Sequence, residues 1–153
     1  MALFNVTNTL KAVETYLRKD GACGAVTIGE PKSPPGGGKY QAAVYMRSTA
    51  VYGVTANGGT LEVHVVNVRL YKDMLAEPRE NIETDLATAL ARIASDLIGE
   101  YDLGATVRNI DVAGAQGTPM SSEWGYTSIS EKMFRVIDLR VPLLVDDSAT
   151  AAA

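Results

Sequence analysis

Among its 153 residues the chain has one cysteine, Cys23, and one histidine, His64. A single cysteine excludes an intrachain disulfide and points to a cytosolic rather than a secreted origin. With His64 it makes too small a pool for the usual zinc ligand sets. The 14 basic residues form no run longer than Arg18-Lys19, and the net charge is −4. That balance argues against a nucleic-acid binder, which usually carries a basic face. No stretch approaches the roughly 18 apolar residues that a membrane span needs. The opening residues, MALFNVTNTLKAVETYL, lack a basic start followed by a long apolar run, so no signal peptide is expected. Asn5-Val6-Thr7 has the form of a glycosylation sequon, which without a secretory route is read as chance.

Motifs for chemistry are equally sparse. Gly36-Gly37-Gly38-Lys39 looks like part of a phosphate loop, but Ser33 stands where the first glycine belongs and Tyr40 follows the lysine. Pro34 and Pro35 also lack the N–H donors that such a loop turns toward phosphates. No Gly-x-Ser-x-Gly elbow exists, and Cys23 has only His64 as a base, so Cys23 is read as a buried inert thiol. His64 falls mid-strand, opposite in phase to Leu61, Val63 and Val65, and is read as a solvated or interface residue. Acid pairs occur at Glu80/Glu83, Asp96/Glu100 and Asp146/Asp147, and the first two are spaced to share a wet helix face. No calcium-loop pattern is present. No catalytic residue, cofactor or metal is assigned.

The chain does have apolar patterning of two kinds. Val6, Leu10, Val13 and Leu17 recur at helical spacing and predict a helix over Thr7 to Lys19, with Gly21 placed as its left-handed cap. Ile82, Leu86, Ala89, Leu90, Ile93, Leu97 and Tyr101 form one stripe of a second helix from about Pro78 to Tyr101, ended by Gly104. Strands are expected at Ala22 to Ile28, Tyr40 to Ser48, Thr60 to Tyr71, near Ala105 to Val112, and at Met133 to Val145. The second and third should form an antiparallel pair. Pro31 to Lys39, Ala50 to Gly59 and Ala113 to Tyr126 are expected as loops, the last with Trp124 as a core plug or interface anchor, while a continuation of the Tyr40 strand through Ala50 to Val54 is left open. A tail, SATAAA, ends the chain.

Two strands change phase. In Met133 to Val145 the apolar residues begin on the even side (Phe134, Val136) and cross to the odd side (Ile137, Leu139, Val141, Leu143). In Thr60 to Tyr71 they cross from odd (Leu61, Val63, Val65) to even (Val66, Val68, Leu70). Side chains alternate with period two, so a phase change means a bulge, a strong twist, or two surfaces covered along one strand. Composition and order together predict one α+β domain over 1–147, in two layers: a mostly antiparallel, mixed twisted sheet packed by two helices. Residues 148–153 are left as a tail.

This arrangement resembles the tail terminator proteins of long-tailed, lambda-like bacteriophages. The residues that carry the resemblance are the central amphipathic helix from Pro78 to Tyr101, the Trp124-Gly125-Tyr126 connection, and the closing strand MFRVIDLRVPLLV with acids after it. The Pro31–Lys39 loop and the SATAAA tail lie outside the resemblance. The family implies a homo-oligomer, a hexameric ring that caps the head-proximal end of the tail tube and stops its growth. Its partners would be the tail tube protein and a head-completion or neck protein, with DNA passing through the lumen without specific binding and no membrane involved. The implied location is the virion tail, and the host cytoplasm during assembly.

A head-to-tail ring needs two different patches per subunit. Phase-switching strands and exposed loops offer such patches. The candidate interface residues are Pro34, Pro35, Gly36, Lys39, Tyr52, Met120, Trp124, Tyr126 and Arg140. The competing expectations are another neck or tail protein, such as a head–tail connector or a tube subunit, and, from another class, a small ligand-binding or enzymatic domain with a pocket near Trp124.

Overall fold

A computed structural model of the chain describes residues 5–19, 23–34, 36, 38–54, 56, 58–99 and 109–146. The elements run α1 (Val6–Arg18), β1 (Cys23–Ile28), β2 (Tyr40–Val54), β3 (Thr60–Asp73), α2 (Asn81–Gly99), β4 (Asn109–Ile110), β5 (Ser121–Ile129) and β6 (Lys132–Asp146). Among the described residues the strands make one six-stranded mixed sheet. Its order is β1-β2-β3-β6-β4, with β5 beside β4 on the same flank of β6. β1 runs parallel to β2, and every other pair is antiparallel. With both helices this is an α+β fold, as the patterning predicts.

Both helices lie on one face. Val13 and Leu17 of α1 share a buried cluster with Leu86, Ala89, Ile93 and Leu97 of α2. Beneath them are Tyr40, Ala42 and Val44 of β2, Val66, Val68 and Leu70 of β3, and Ile137, Leu139, Val141 and Leu143 of β6. The phase change in β3 and β6 follows from this. Their ladder runs from Leu61↔Asp146 to Asp73↔Phe134 without a register shift, so no bulge lies between these two strands. The out-of-phase residues point to the opposite face. Ala43, Tyr71, Ile129, Phe134 and Val136 cluster near one end of that face, and Val63, Val65 and Leu144 near the other, with Tyr52 packed on them. Among the described residues these far-face clusters consist of strand residues alone, packed on a twisted, curled sheet. Register shifts lie instead in β2 against β3, between Met46 and Ser48 and between Val51 and Gly53, and in β1 against β2, between Cys23 and Val26, where they add local twist.

Several expectations need correction. Residues 113–126 are not all loop: β5 begins at Ser121, so Trp124, Gly125 and Tyr126 sit in a strand. Ala50 to Val54 continue β2, which shortens the reversal before β3. α2 starts three residues after Pro78, Leu90 is only half-buried, and Gly21, Glu100, Tyr101, Gly104, Asp147 and the tail lie outside the described residues. Cys23 opens β1 half-buried rather than enclosed.

The hairpin that delivers β5 to β6 turns through Ser130 and Glu131, with φ of 48° and 68°. Two consecutive residues at positive φ, linking Ile129 to Lys132, make the turn that asparagine and glycine favour. An L side chain in that region costs about 1–2 kcal/mol. Ser130→Asn with Glu131→Gly should therefore raise unfolding stability by about 1 kcal/mol. Urea denaturation checks this, and an unchanged or lowered midpoint contradicts the turn assignment.

Candidate functional site

Two polar clusters, one buried and one half-buried, hold the groups most able to do chemistry. Beneath α1, Thr60 Oγ1 donates to Glu62 Oε2 at 2.8 Å. Glu62 Oε1 lies 2.8 Å from His64 Nε2, and His64 Nδ1 lies 3.0 Å from Thr9 Oγ1. Glu62 and His64 alternate with the far-face residues of β3, which turns both toward the helices. This corrects the expected solvated His64: its ring has no exposure, nor has Glu62, and Thr9 is 2% exposed. A hydroxyl, an imidazole and a carboxylate in series are the parts of a nucleophilic triad. Here burial closes the hydroxyl to substrate. The chain instead ties α1 to β3 and satisfies polar groups that would be costly to bury unpaired.

The second cluster occupies the middle of the far face, between its two apolar ends. Arg69 of β3 grips Asp138 of β6 with two bonds, Nε to Oδ1 at 2.6 Å and Nη2 to Oδ2 at 3.0 Å. A third bond reaches Glu30 at 2.9 Å. Asn67 donates to Asp138 and to the Tyr45 hydroxyl, at 3.1 and 3.0 Å. Burial pushes the Tyr45 hydroxyl up to about 12, and the neighbouring acids Asp138 and Glu30 add to the effect against Arg69. Burial pushes Asp138 up as well, but the hydrogen bonds from Arg69 and Asn67 outweigh it and leave the carboxyl below its usual range. Arg69 and Asp138 are direct register partners, so this pair fixes the alignment of the two longest-paired strands.

The accessible candidate lies beside α2. One flank of that helix presents Ala87, Leu90, Ala91, Ala94 and Ile98, at spacings that put them in one row. β5 extends past the helix and turns Ser122 and Trp124 toward the same row. Trp124 is opposite Ile137 in the ladder, and Ile137 belongs to the helix-covered core. Between them runs a groove of about 380 Å³, floored by Leu139 and closed at one end by Val112 and Met120. Its walls are apolar apart from the hydroxyls of Ser121 and Ser122. Ile98, Val112 and Trp124 are exposed there at 52%, 39% and 36%.

The loop before β5 is built to hold the Met120 end. Asp111 accepts from the N–H groups of Ala115 and Gln116, at 2.9 and 2.8 Å. Met120 N–H bonds Val112 O at 3.0 Å. Gly114 sits at φ +76°, where an added Cβ would meet Pro119 N at 2.5 Å. At the other end, the Arg135 guanidinium lies 5.2 Å from the Trp124 ring and 4.5 Å from the Tyr126 ring. It also pairs with Glu83 of α2 and donates to Gly125 O at 3.0 Å. Tyr126 remains exposed.

Of the sequence candidates, Met120 and Trp124 meet in this groove, and Tyr126 stands at its rim. The others do not join them. Tyr52 packs on the far-face apolar cluster. Arg140 points to the far face and pairs with Glu123 at 3.2 Å. Pro34, Gly36 and Lys39 are exposed in the β1–β2 connection, and Pro35 lies outside the described residues. The helix side of the groove, Ala87, Ala91, Ala94 and Ile98, was not anticipated. Its signal was an apolar second flank on α2, masked by the small size of alanine. No group of three or more His, Cys, Asp or Glu side chains among the described residues could hold a metal ion.

No protein-family model matches this chain, and no curated protein matches it. A solved structure is similar over 89% of this chain and 90% of its own, at 15% identity and a TM-score of 0.42. A likeness of that size carries no argument about what the chain does.

Two variants test the polar clusters. Thr9→Val should cost about 1–3 kcal/mol, because it strands His64 Nδ1 in the interior; a neutral effect in urea unfolding contradicts the tie between α1 and β3. Asp138 is held below its unfolded value, so its stabilising contribution is full above about pH 4 and fades as pH falls through the lower folded value. Asp138→Asn should therefore be less stable by about 1–3 kcal/mol at pH 7. The gap to the unmodified chain should close as the pH drops below about 4. A gap that stays constant with pH contradicts the pairing.

Proposed function

We propose that this chain is a structural subunit that works by association, as a tail terminator of a long-tailed bacteriophage does. On this reading a homo-oligomeric ring of six copies caps the head-proximal end of the tail tube, ends tube polymerisation and offers a surface to the head or neck. The observation that carries the associative part is the groove along α2 with β5 beside it. It is apolar, open, rimmed by aromatics, and has no convergent set of ionisable groups. Exposed apolar surface of this kind marks contact sites on folded proteins. Val54 and Leu75, 70% and 80% exposed, lie on other parts of the surface, and a head-to-tail ring requires two unlike patches. The acidic balance of the chain suits a lumen through which DNA slides unheld. No helix among the described residues is long and apolar enough to cross a membrane.

A second reading within the same particle is a head–tail connector or a tube subunit. A third, from another class, is a ligand-binding domain, which the groove volume favours because about 300–1,000 Å³ is usual for small-molecule pockets. The apolar lining separates it from a catalytic cleft. A stoichiometric, saturable small molecule in native mass spectrometry would support that third reading.

Electron microscopy of the purified chain mixed with tail tubes tests the terminator reading. Closed rings seated at one tube end are expected. Open stacks point to a tube subunit, and rings absent from tube ends remove the proposal.

A further inference from the structure

The sheet has two lateral edges, and they are finished differently. β1 is six residues long. α1 packs against it, and Arg18 donates to the Val26 carbonyl at 2.9 Å, occupying one of the strand's acceptors. β5 is nine residues long and pairs only with β6 among the described residues. Its ladder runs from Ser121↔Arg140 to Ile129↔Lys132 without a bulge. The strand contains no proline and no lysine, and its one charge is Glu123. Lysines, prolines, bulges and coverings are the devices that keep sheet edges from pairing with other chains. β5 has no lysine, proline or bulge; Arg135 of β6 donates to its Gly125 carbonyl at 3.0 Å, a bond that the pairing must accommodate or displace, and an apolar groove lies on its helix side.

We infer that β5 pairs with β5 of a second copy, antiparallel, about a two-fold axis at Gly125. Gly125 is the middle residue of Ser121–Ile129, so this register alone pairs all nine residues. It also keeps both helix layers on one side of the joined sheet. Trp124 then stands opposite Tyr126 of the second copy, twice over, giving aromatic cross-strand pairs on the groove side. Glu123 meets Thr127, Ser122 meets Ser128, and Ser121 meets Ile129. Moving the axis to Glu123 would set two carboxylates against each other; moving it to Tyr126 would set Glu123 against Ile129. At the axis itself a Cβ on Gly125 would touch only Val136 Cγ2, at 4.0 Å, and its absence lets the two backbones approach. The groove is closed in the pair: Tyr126 of the second copy covers Trp124, and the row of Ala87, Ala91 and Ala94 faces the second α2.

This pairing uses one patch twice, whereas a ring uses two patches once each. It therefore concerns the free subunit and does not rest on the terminator reading. Its failure would leave rings on tube ends unaffected, and their absence would leave it unaffected.

Sedimentation velocity of the full chain, from micromolar to near-millimolar concentration, reads the association. A monomer–dimer equilibrium is expected. Ser122→Lys with Ser128→Lys places like charges opposite each other at two symmetric positions and should weaken the dimer about tenfold or more. Ser122→Lys with Ser128→Glu places opposite charges at the same positions and should restore it. Both serines are exposed, and circular dichroism checks that each variant is folded. A monomer at every concentration overturns the inference. So does a dimer or larger ring indifferent to the double-lysine variant, and so does a failure of the Lys/Glu variant to recover.

Discussion

The structure depends on β6 being paired along nearly its whole length on both sides. Its fifteen residues hydrogen-bond to β3 on one flank and to β5 and β4 on the other. A one-residue slip would exchange every side chain between the two faces. Such a slip is blocked three times over. The odd residues from Ile137 to Val145 belong under the helices, Phe134 and Val136 belong in a far-face cluster, and Asp138 is held by Arg69. The apolar phase change is thus the imprint of two surfaces served by one straight ladder.

That constraint decides where polar chemistry goes. Between two apolar far-face patches, Arg69, Asp138, Asn67 and Tyr45 satisfy one another. On the helix side, Thr60, Glu62, His64 and Thr9 do the same under α1. The single histidine, the best-buried carboxylate and the most strongly bound arginine of the sheet all serve alignment. What the molecule presents outward at its groove is aliphatic and aromatic.

Much of this was legible in the sequence. The helix stripes, the β2–β3 pair and the long closing strand all follow from period and turn chemistry, since a 3.6-residue stripe or a two-residue alternation survives without tertiary information. β5 was not legible as a strand, because Ser, Gly and Glu dilute its alternation. The turn signals of Gly114, Gly117 and Pro119 also dominate the stretch before it; Trp124 and Tyr126, two apart, were the usable trace. Its turn at Ser130-Glu131 carries neither Asn nor Gly. The polar clusters were invisible for a different reason: Arg69 and Asp138 lie far apart in the chain and meet only once the register is set. His64 was misplaced because a histidine among valines has no local signal for the Thr9 and Glu62 that bury it. Of the candidate interface residues, only Met120 just before β5 and Trp124 and Tyr126 within it came together, because the groove requires α2 and β5 side by side, and alanines give no sequence sign of being a wall.

The two sheet edges differ: α1 packs against β1 at one, while β5 at the other pairs only with β6 among the described residues, and the proposed association uses this second edge. Amide hydrogen exchange followed by mass spectrometry tests this most directly, on the full chain at low and at high concentration. β3 and β6 should exchange slowly and equally in both, while β5 exchanges fast when dilute and slows on association. A β5 as protected as β3 in dilute solution, or one that stays fast when the chain assembles, would contradict the account.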